Sequence, residues 1–311
     1  MSYCNNCNST TGARSPRRRS RCAGLLGALL LSTAAGIVLA DADSARLAME
    51  GPDNPLFLLS TSRGQIYIEM LPAEAPANAA RVMALARGEI EITDADNGFS
   101  FTPAYYDGQR FHRTLPGFVI QAASPAYHPL GGPGELLADE INADALGLDT
   151  EQVLTADASV NALLNITDEE AFVAEVLTPL YAAMNIDDAA ELAARQDEVY
   201  TRLQSLTVKS LYELQGHRYV DRFATRAISR GVVALANSGP DSNGAEFFIA
   251  LADVPSLTGR YTVIGRVAEG MAVADEIGAT AIDAESFSRL STVIYSFDEI
   301  ESAAAPTAAT Q

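Results

Sequence analysis

The sequence predicts a mainly β protein: a closed, eight-stranded antiparallel barrel capped by two helices and carrying an inserted α-helical hairpin. Three observations carry that expectation. Eight short segments have strand character and are joined by turn-rich connections. Only two segments outside residues 142–230 have helical spacing. Within 142–230 the turn glycines almost vanish and apolar residues recur at helical intervals. A chain of 311 residues, 48% of them hydrophobic, has material for one ordinary core and an appendage.

Residues 16–21 are strongly basic, 23–40 are uncharged and apolar, and the small residues Ala40 and Ala42 stand among acidic ones. This is the layout of a secretory signal over residues 1–40, cut after Ala40 or Ala42, and it puts the protein in the periplasm or otherwise outside the cytoplasm. Residues 23–40 are also about long enough to remain as an uncleaved membrane anchor. Cys4, Cys7 and Cys22 all precede the cut, so the mature chain is expected to hold no disulfide. Cys4-x-x-Cys7 lacks the second ligand pair of a zinc site. Residues 41–55 read as a linker.

Residues 56–60 and 65–70 are expected to pair as a hairpin, with Ile66, Ile68 and Met70 alternating with Gln65, Tyr67 and Glu69 so that one face is buried. Pro76 opens a helix over 77–86, and Gly88 ends it. Further strands are expected over 110–114, 118–122, 232–236, 247–251, 262–268 and 292–297, with a second helix over 271–277. The barrel thus takes residues 56–141 and 231–300. In the insertion, residues 142–230, Thr167-x-x-Glu170 has the form of a capping box ahead of Phe172, Val176, Leu180 and Met184. A second helix is expected over 187–206 and a third around Leu211 and Leu214. Residues 301–311, rich in alanine, read as a disordered tail.

Five of the 21 Lys and Arg lie in residues 1–40, which leaves 16 bases against 40 acids in the body. So acidic a body repels phosphate backbones and anionic lipid, which argues against nucleic acid as a partner.

Several runs carry chemistry together. Tyr106-Asp107-Gly108, Phe111-His112-Arg113, Pro116-Gly117-Phe118, Gln121, the Gly131–Gly134 turn and Asp139-Glu140-Ile141 come first. Ala236-Asn237-Ser238-Gly239-Pro240, Asn243-Gly244, Phe247-Phe248-Ile249, Leu257-Thr258-Gly259 and Val267-Ala268-Glu269-Gly270-Met271 follow. In order and spacing they resemble the signature of the cyclophilin-type peptidyl-prolyl cis/trans isomerases, over residues 56–141 and 231–297, in the manner of an exported bacterial member with a helical insertion. The resemblance implies a cyclophilin-like barrel and an isomerase (rotamase) acting on proline-containing peptides and unfolded exported proteins, with no cofactor and no metal.

Such an activity needs little machinery. Rotation about an X-Pro bond loses amide resonance against a barrier of roughly 18–20 kcal/mol. A catalyst needs an apolar slot for the proline ring and a fixed donor that favours the twisted amide over the planar one. A guanidinium suits the donor role because it stays charged and presents a rigid fork of N–H groups. By resemblance Arg113 is that catalytic residue, and Phe118, Val119, Phe248 and Leu257 form the proline pocket. Gln121 and the backbone of Ala236 and Asn237 hydrogen-bond the substrate main chain, and Ser238 lines the groove. Phe111 and Phe247 are expected in the core.

Three positions depart from the family pattern: Glu246 stands where glutamine is common, Ser256 where many members have tryptophan, and Tyr261 where they have histidine. Ser256 removes a large wall, so weak binding of cyclosporin is expected. An ionised Glu246 either pairs with Arg113 and withholds it from substrate, or orients it. By strand alternation His112 points to the face opposite Arg113 and is structural. His128 and His217 have no carboxylate at ligand spacing, and Asp94-Ala95-Asp96-Asn97-Gly98 reads as an acidic surface loop with its glycine one place early for a calcium loop. The reading that competes with the isomerase is a peptide-binding chaperone or adaptor with little activity, whose helical insertion recruits a protein partner through an apolar face.

Overall fold

The computed structural model describes residues 40–94, 97–280, 282 and 290–301. The expected signal or anchor, the alanine-rich tail from residue 302 and the centre of the Asp94–Gly98 loop lie outside the described residues.

Residues 41–55, expected as a linker, contain a helix. Residues 42–48 form helix α1 (Ala42–Ala48), started by Asp41, whose Oδ1 accepts from the backbone N–H groups of Asp43 and Ser44 at 3.0 and 2.9 Å. Its Ala45 is buried against Leu56 and Tyr67. Seven residues are too few to declare a helix by periodicity, and the cap was read only as acidity after a signal.

Strands β1 (Leu56–Thr61) and β2 (Gly64–Met70) form the expected hairpin. Helix α2 (Pro76–Ala86) follows with Pro76 in its first turn, and Gly88 ends it at φ +68°. A small unexpected ribbon, β3 (Ile92–Thr93) with β4 (Ser100–Phe101), precedes β5 (Phe111–Leu115) and β6 (Val119–Ala122). After the insertion come β7 (Val232–Leu235), β8 (Phe247–Ala250) and β9 (Val263–Glu269), then a helix over Met271–Gly278 and a last strand over Ile294–Glu299. With the insertion's helices counted in chain order, these last two are α8 and β10.

Eight strands form one antiparallel sheet in the order β10-β1-β2-β9-β7-β8-β6-β5. It curves as a half-barrel, and the expected closure is not a full ladder. The chain just before β5 and β10 pairs at one isolated bridge, Arg110 with Val293, flanked by three backbone hydrogen bonds: Phe111 N–H to Thr292 O at 3.0 Å, Ile294 N–H to Gln109 O at 2.8 Å and Gly108 N–H to Ile294 O at 2.9 Å. Inside lie Phe57, Ile66, Ile68, Phe111, Ile120, Phe247 and Ile249, with α2 and α8 covering the core through Val82, Leu85, Ala274 and Ile277. Gly270 sits between β9 and α8 at φ +97°, where a side chain would run into the backbone of Gln65 and Ile66. That close approach is why the Glu269-Gly270-Met271 turn needs glycine.

The insertion is more than a hairpin. Its first helix starts at Asp168, not Thr167: Asp168 Oδ1 accepts from Ala171 N–H at 2.9 Å. It runs as α3 (Glu169–Phe172), a π turn (Val173–Leu177) and α4 (Thr178–Ala183). Pro179 explains the irregularity. It has no N–H to offer Glu175, whose carbonyl instead accepts from Gln215 Nε2 at 2.8 Å. The helix expected over 187–206 breaks at Arg195 into α5 (Ala189–Ala194) and α6 (Gln196–Gln204), and α7 (Val208–Leu214) is capped by Thr207. Val176, Leu206, Leu211 and Tyr212 pack with Ala143, Leu148 and Val153 from the turn-rich segment that precedes the helices.

The insertion rests on the barrel. Tyr219 donates its hydroxyl to Gly259 O at 3.0 Å, and Arg226 is forked onto Glu74 and Glu50. Gly259, at φ +84°, lies directly under Leu148, with no room for a Cβ. The inserted helices therefore buttress the loop that carries Leu257 and Tyr261.

Candidate active site

One row of residues crosses the outer face of the sheet. Register pairs Arg113 with Gln121, Gln121 with Phe248, Phe248 with Ala234, and Ala234 with Val263. Directly opposed residues of a pleated sheet share a face, so the row is polar at β5 and apolar from β8 onward. The apolar part has a buried floor of Val119, Val232, Ala234, Phe248 and Val263, and a half-buried rim of Leu115, Phe118, Leu257 and Tyr261. Phe248 meets Tyr261 edge to face, with ring centroids 5.3 Å apart. Phe247, one residue before Phe248, and Phe111, two residues before Arg113 across a register shift, face the opposite side and are buried in the core.

Arg113 is exposed, and its Nη1 donates to Gln121 Oε1 at 3.0 Å. Gln121 Nε2 in turn donates to Glu246 Oε1, which also receives His112 Nε2 at 3.0 Å. The alternatives left open at Glu246 are thereby decided among the described residues. It makes no ion pair with Arg113; it fixes which way the Gln121 amide points, and Gln121 presents its carbonyl oxygen to the guanidinium.

His112 is the correction here. Phe111 pairs with Ala122 and Arg113 with Gln121, so His112 is an extra residue in β5. This bulge interrupts strict alternation and brings His112 and Arg113 to the same network. Its position depends on how β6 pairs, which the local pattern of β5 does not contain.

The backbone expectation also changes. Ala236 N–H donates to Glu246 O at 2.8 Å, so it is spent within the sheet and only the carbonyl is left for a peptide. Asn237 Nδ2 is tied to Arg260 O at 3.1 Å, and Ser238 N–H donates to Ser242 Oγ at 3.0 Å, while the Ser238 side chain is exposed. His217, which has no carboxylate at ligand spacing in the sequence, lies with Nδ1 3.7 Å from Asp139 Oδ2. His128 stacks on Tyr105 with centroids 4.3 Å apart. Among the described residues no cluster of His, Cys, Asp and Glu is arranged to hold a metal ion.

Burial pushes the Glu246 carboxyl up, but hydrogen bonds from His112 and Gln121, the imidazole charge and a hydrogen bond from Ser124 outweigh it and hold it below the ordinary 4.5. A depressed carboxylate contributes its order above the ordinary pKa and loses it as pH falls through the lowered one. Glu246→Gln, which keeps a hydrogen-bonding side chain but not its charge, is expected to lower kcat/KM for a short X-Pro peptide by about three- to tenfold at neutral pH, the net worth of one ordinary hydrogen bond, and to remove an acid limb present in the parent. Exchange NMR across pH, with circular dichroism at each point, checks this; acid limbs of equal size in both proteins would assign the limb to another group.

The family model for cyclophilin type peptidyl-prolyl cis-trans isomerase/CLD matches residues 56–298. Peptidyl-prolyl cis-trans isomerase B of Streptomyces anulatus is 26% identical over 224 residues, 71% of this chain and 82% of that protein. Peptidyl-prolyl cis-trans isomerase A of Mycobacterium tuberculosis is 24% identical over 227 residues, 72% of this chain and 81% of its own length. A crystal structure of a Cryptosporidium parvum cyclophilin type peptidyl-prolyl cis-trans isomerase, in the presence of the dipeptide Ala-Pro, superposes with a TM-score of 0.45 at 15% identity, covering 79% of this chain and 99% of that one. With the model spanning both halves of the sheet and the insertion between them, this chain belongs to the cyclophilin-type peptidyl-prolyl cis-trans isomerase family.

Proposed function

We propose that the protein assists the folding of exported proteins by accelerating cis/trans exchange at their X-Pro bonds, with Arg113 as the donor to the twisted amide. The observation that carries this is the row itself. A guanidinium pinned by Gln121 stands at one end, and a floor of Phe248 and Val119 rimmed by Phe118, Leu257 and Tyr261 stands at the other. A proline ring on that floor lies beside a donor whose remaining N–H groups are unspent. Because the donor is held by Gln121 before substrate arrives, little reorganisation accompanies the twist. Ala236, Asn237 and Ser238 run along the groove and suit a main chain of any sequence. Ser256, in the short turn Pro255–Leu257, leaves one wall low, so cyclosporin is expected to bind weakly.

Export follows from the basic and apolar composition of residues 1–40, with membrane anchoring by residues 23–40 as the alternative that N-terminal sequencing of the secreted chain distinguishes. The activity is tested by exchange NMR on a short Ala-Pro peptide with the chain from Asp41 onward. Acceleration of exchange at catalytic protein concentration is the expected result. A folded protein that binds the peptide without accelerating it would move the reading to a chaperone or adaptor.

A further inference from the structure

A cavity of about 450 Å³ lies where the insertion meets the substrate groove. Its barrel side is formed by Ser238, Arg260 and Tyr261, and its insertion side by Glu175, Gln215 and His217. Tyr261 belongs to both places, since its ring also closes on Phe248 at the proline pocket. A peptide whose proline occupies that pocket therefore has a neighbouring residue at the mouth of the cavity.

The donors in the cavity are unspent. In this acidic chain the half-buried arginines Arg226 and Arg266 are each neutralised by two glutamates. Arg260 has no ion pair among the described residues, and its guanidinium lies over the Tyr212 ring, 5.7 Å from the centroid. His217 is more than nine-tenths buried, and neither ring nitrogen makes a hydrogen bond; Nδ1 faces Asp139 at 3.7 Å. The Ser238 hydroxyl is also without a partner, while one Gln215 N–H is used on the Glu175 carbonyl. Against these donors stands one acceptor with charge, the exposed Glu175 carboxylate on the π turn.

We propose that this cavity is a specificity subsite, built jointly by barrel and insertion, that takes the carboxylate side chain of an Asp or Glu within two residues of the substrate proline. Arg260 supplies the charge, Ser238 and His217 supply further donors, and Glu175 weakens the preference by lying at the rim. The inference rests on the isomerase reading for the direction of the peptide groove, but peptide binding tests it separately.

The experiment uses a set of short Ala-Pro peptides that carry Glu, Ala or Lys at each position within two residues of the proline. Dissociation constants come from NMR titration of the protein, and kcat/KM comes from exchange NMR. At one position the Glu peptide is expected to bind about five- to tenfold more tightly than the Ala peptide, as one charged hydrogen-bonded contact would give. That ratio falls toward one in Arg260→Ala and rises in Glu175→Gln. Equal affinities for Glu, Ala and Lys peptides at every position would overturn the proposal, as would a Glu preference that survives Arg260→Ala. If Arg260→Ala does not fold, an unchanged ratio in Glu175→Gln overturns it. Tight, Glu-selective binding without acceleration would keep the subsite and reject the isomerase reading instead.

Discussion

Arg113→Ala is expected to lower kcat/KM for a short X-Pro peptide by about 10²- to 10³-fold, the usual cost of removing one preorganised donor from a transition state. The reasoning is geometric. Arg113 is exposed on β5, and among the described residues its only side-chain hydrogen bond is to Gln121 at 3.0 Å. Its removal leaves no buried group unsatisfied, so stability is expected to change by no more than about 0.5 kcal/mol. The loss should fall on kcat more than on peptide affinity, because the proline floor of Phe248 and Val119 is untouched. Arg113→Lys should recover little. An ammonium keeps the charge but not the planar fork that meets Gln121 with one arm and the amide with another. Exchange NMR for the rate and urea unfolding for stability separate the two effects. A folded Arg113→Ala protein within threefold of the parent would place the catalytic donor elsewhere in the row.

The barrel strands are legible for two different reasons. In β2 the residue types alternate and Ile66 and Ile68 face the core, but the expected single buried face is not what forms: Tyr67 is covered by Ala45 of α1, and Glu69 is buried among Asn54 and Arg266. In β7 and β8 every residue is buried, because the inner face meets the core and the outer face forms the floor of the groove. Such strands show no alternation, and only their length and their flanking turns mark them as strands. Closure is a different kind of property. Whether β5 and β10 meet by a ladder or by the single Arg110–Val293 bridge depends on the accumulated twist of eight strands, which no local pattern states.

The insertion shows the same division. Its helices follow from spacing, but their starts follow from competition between neighbouring caps. Asp168 and Asp188 outcompete Thr167 and Asp187 as starts because their carboxylates reach the second or third N–H of the turn. The residues of the candidate site that pattern and resemblance supply lie on strands, as Arg113, Gln121 and Phe248 do, and on the turns beside them, as Phe118, Leu257 and Tyr261 do. Those it misses, His112 on a bulge and His217 across a tertiary junction, reach the groove only through pairing at a distance.

That junction has a keystone, and it leads to the second large effect. Asp139 is almost fully buried between the insertion and the groove loop. Its Oδ1 accepts from Asn243 Nδ2 at 2.9 Å and from Thr262 Oγ1 at 3.3 Å, and its Oδ2 accepts from Asp241 N–H at 3.1 Å. Asp241 answers by accepting from Asp139 N–H at 2.9 Å, and it holds a left-handed conformation at φ 55° to do so. Residues 236–240, which carry Ala236, Asn237 and Ser238 along the groove, are anchored by this exchange. Asp139→Ala strips three donors of their acceptor in a buried place, and it is expected to cost about 3–5 kcal/mol of stability. Asp139→Asn keeps one acceptor oxygen for Asn243 but turns an N–H toward that of Asp241, so an intermediate loss is expected. Urea unfolding orders the three proteins, and amide hydrogen exchange at Asn237 and Ser238 reports whether the groove loop loosens with them. Full protection of that loop in Asp139→Asn would mean that the groove is held by the sheet alone, through the Ala236–Glu246 hydrogen bond, and owes nothing to the junction with the insertion.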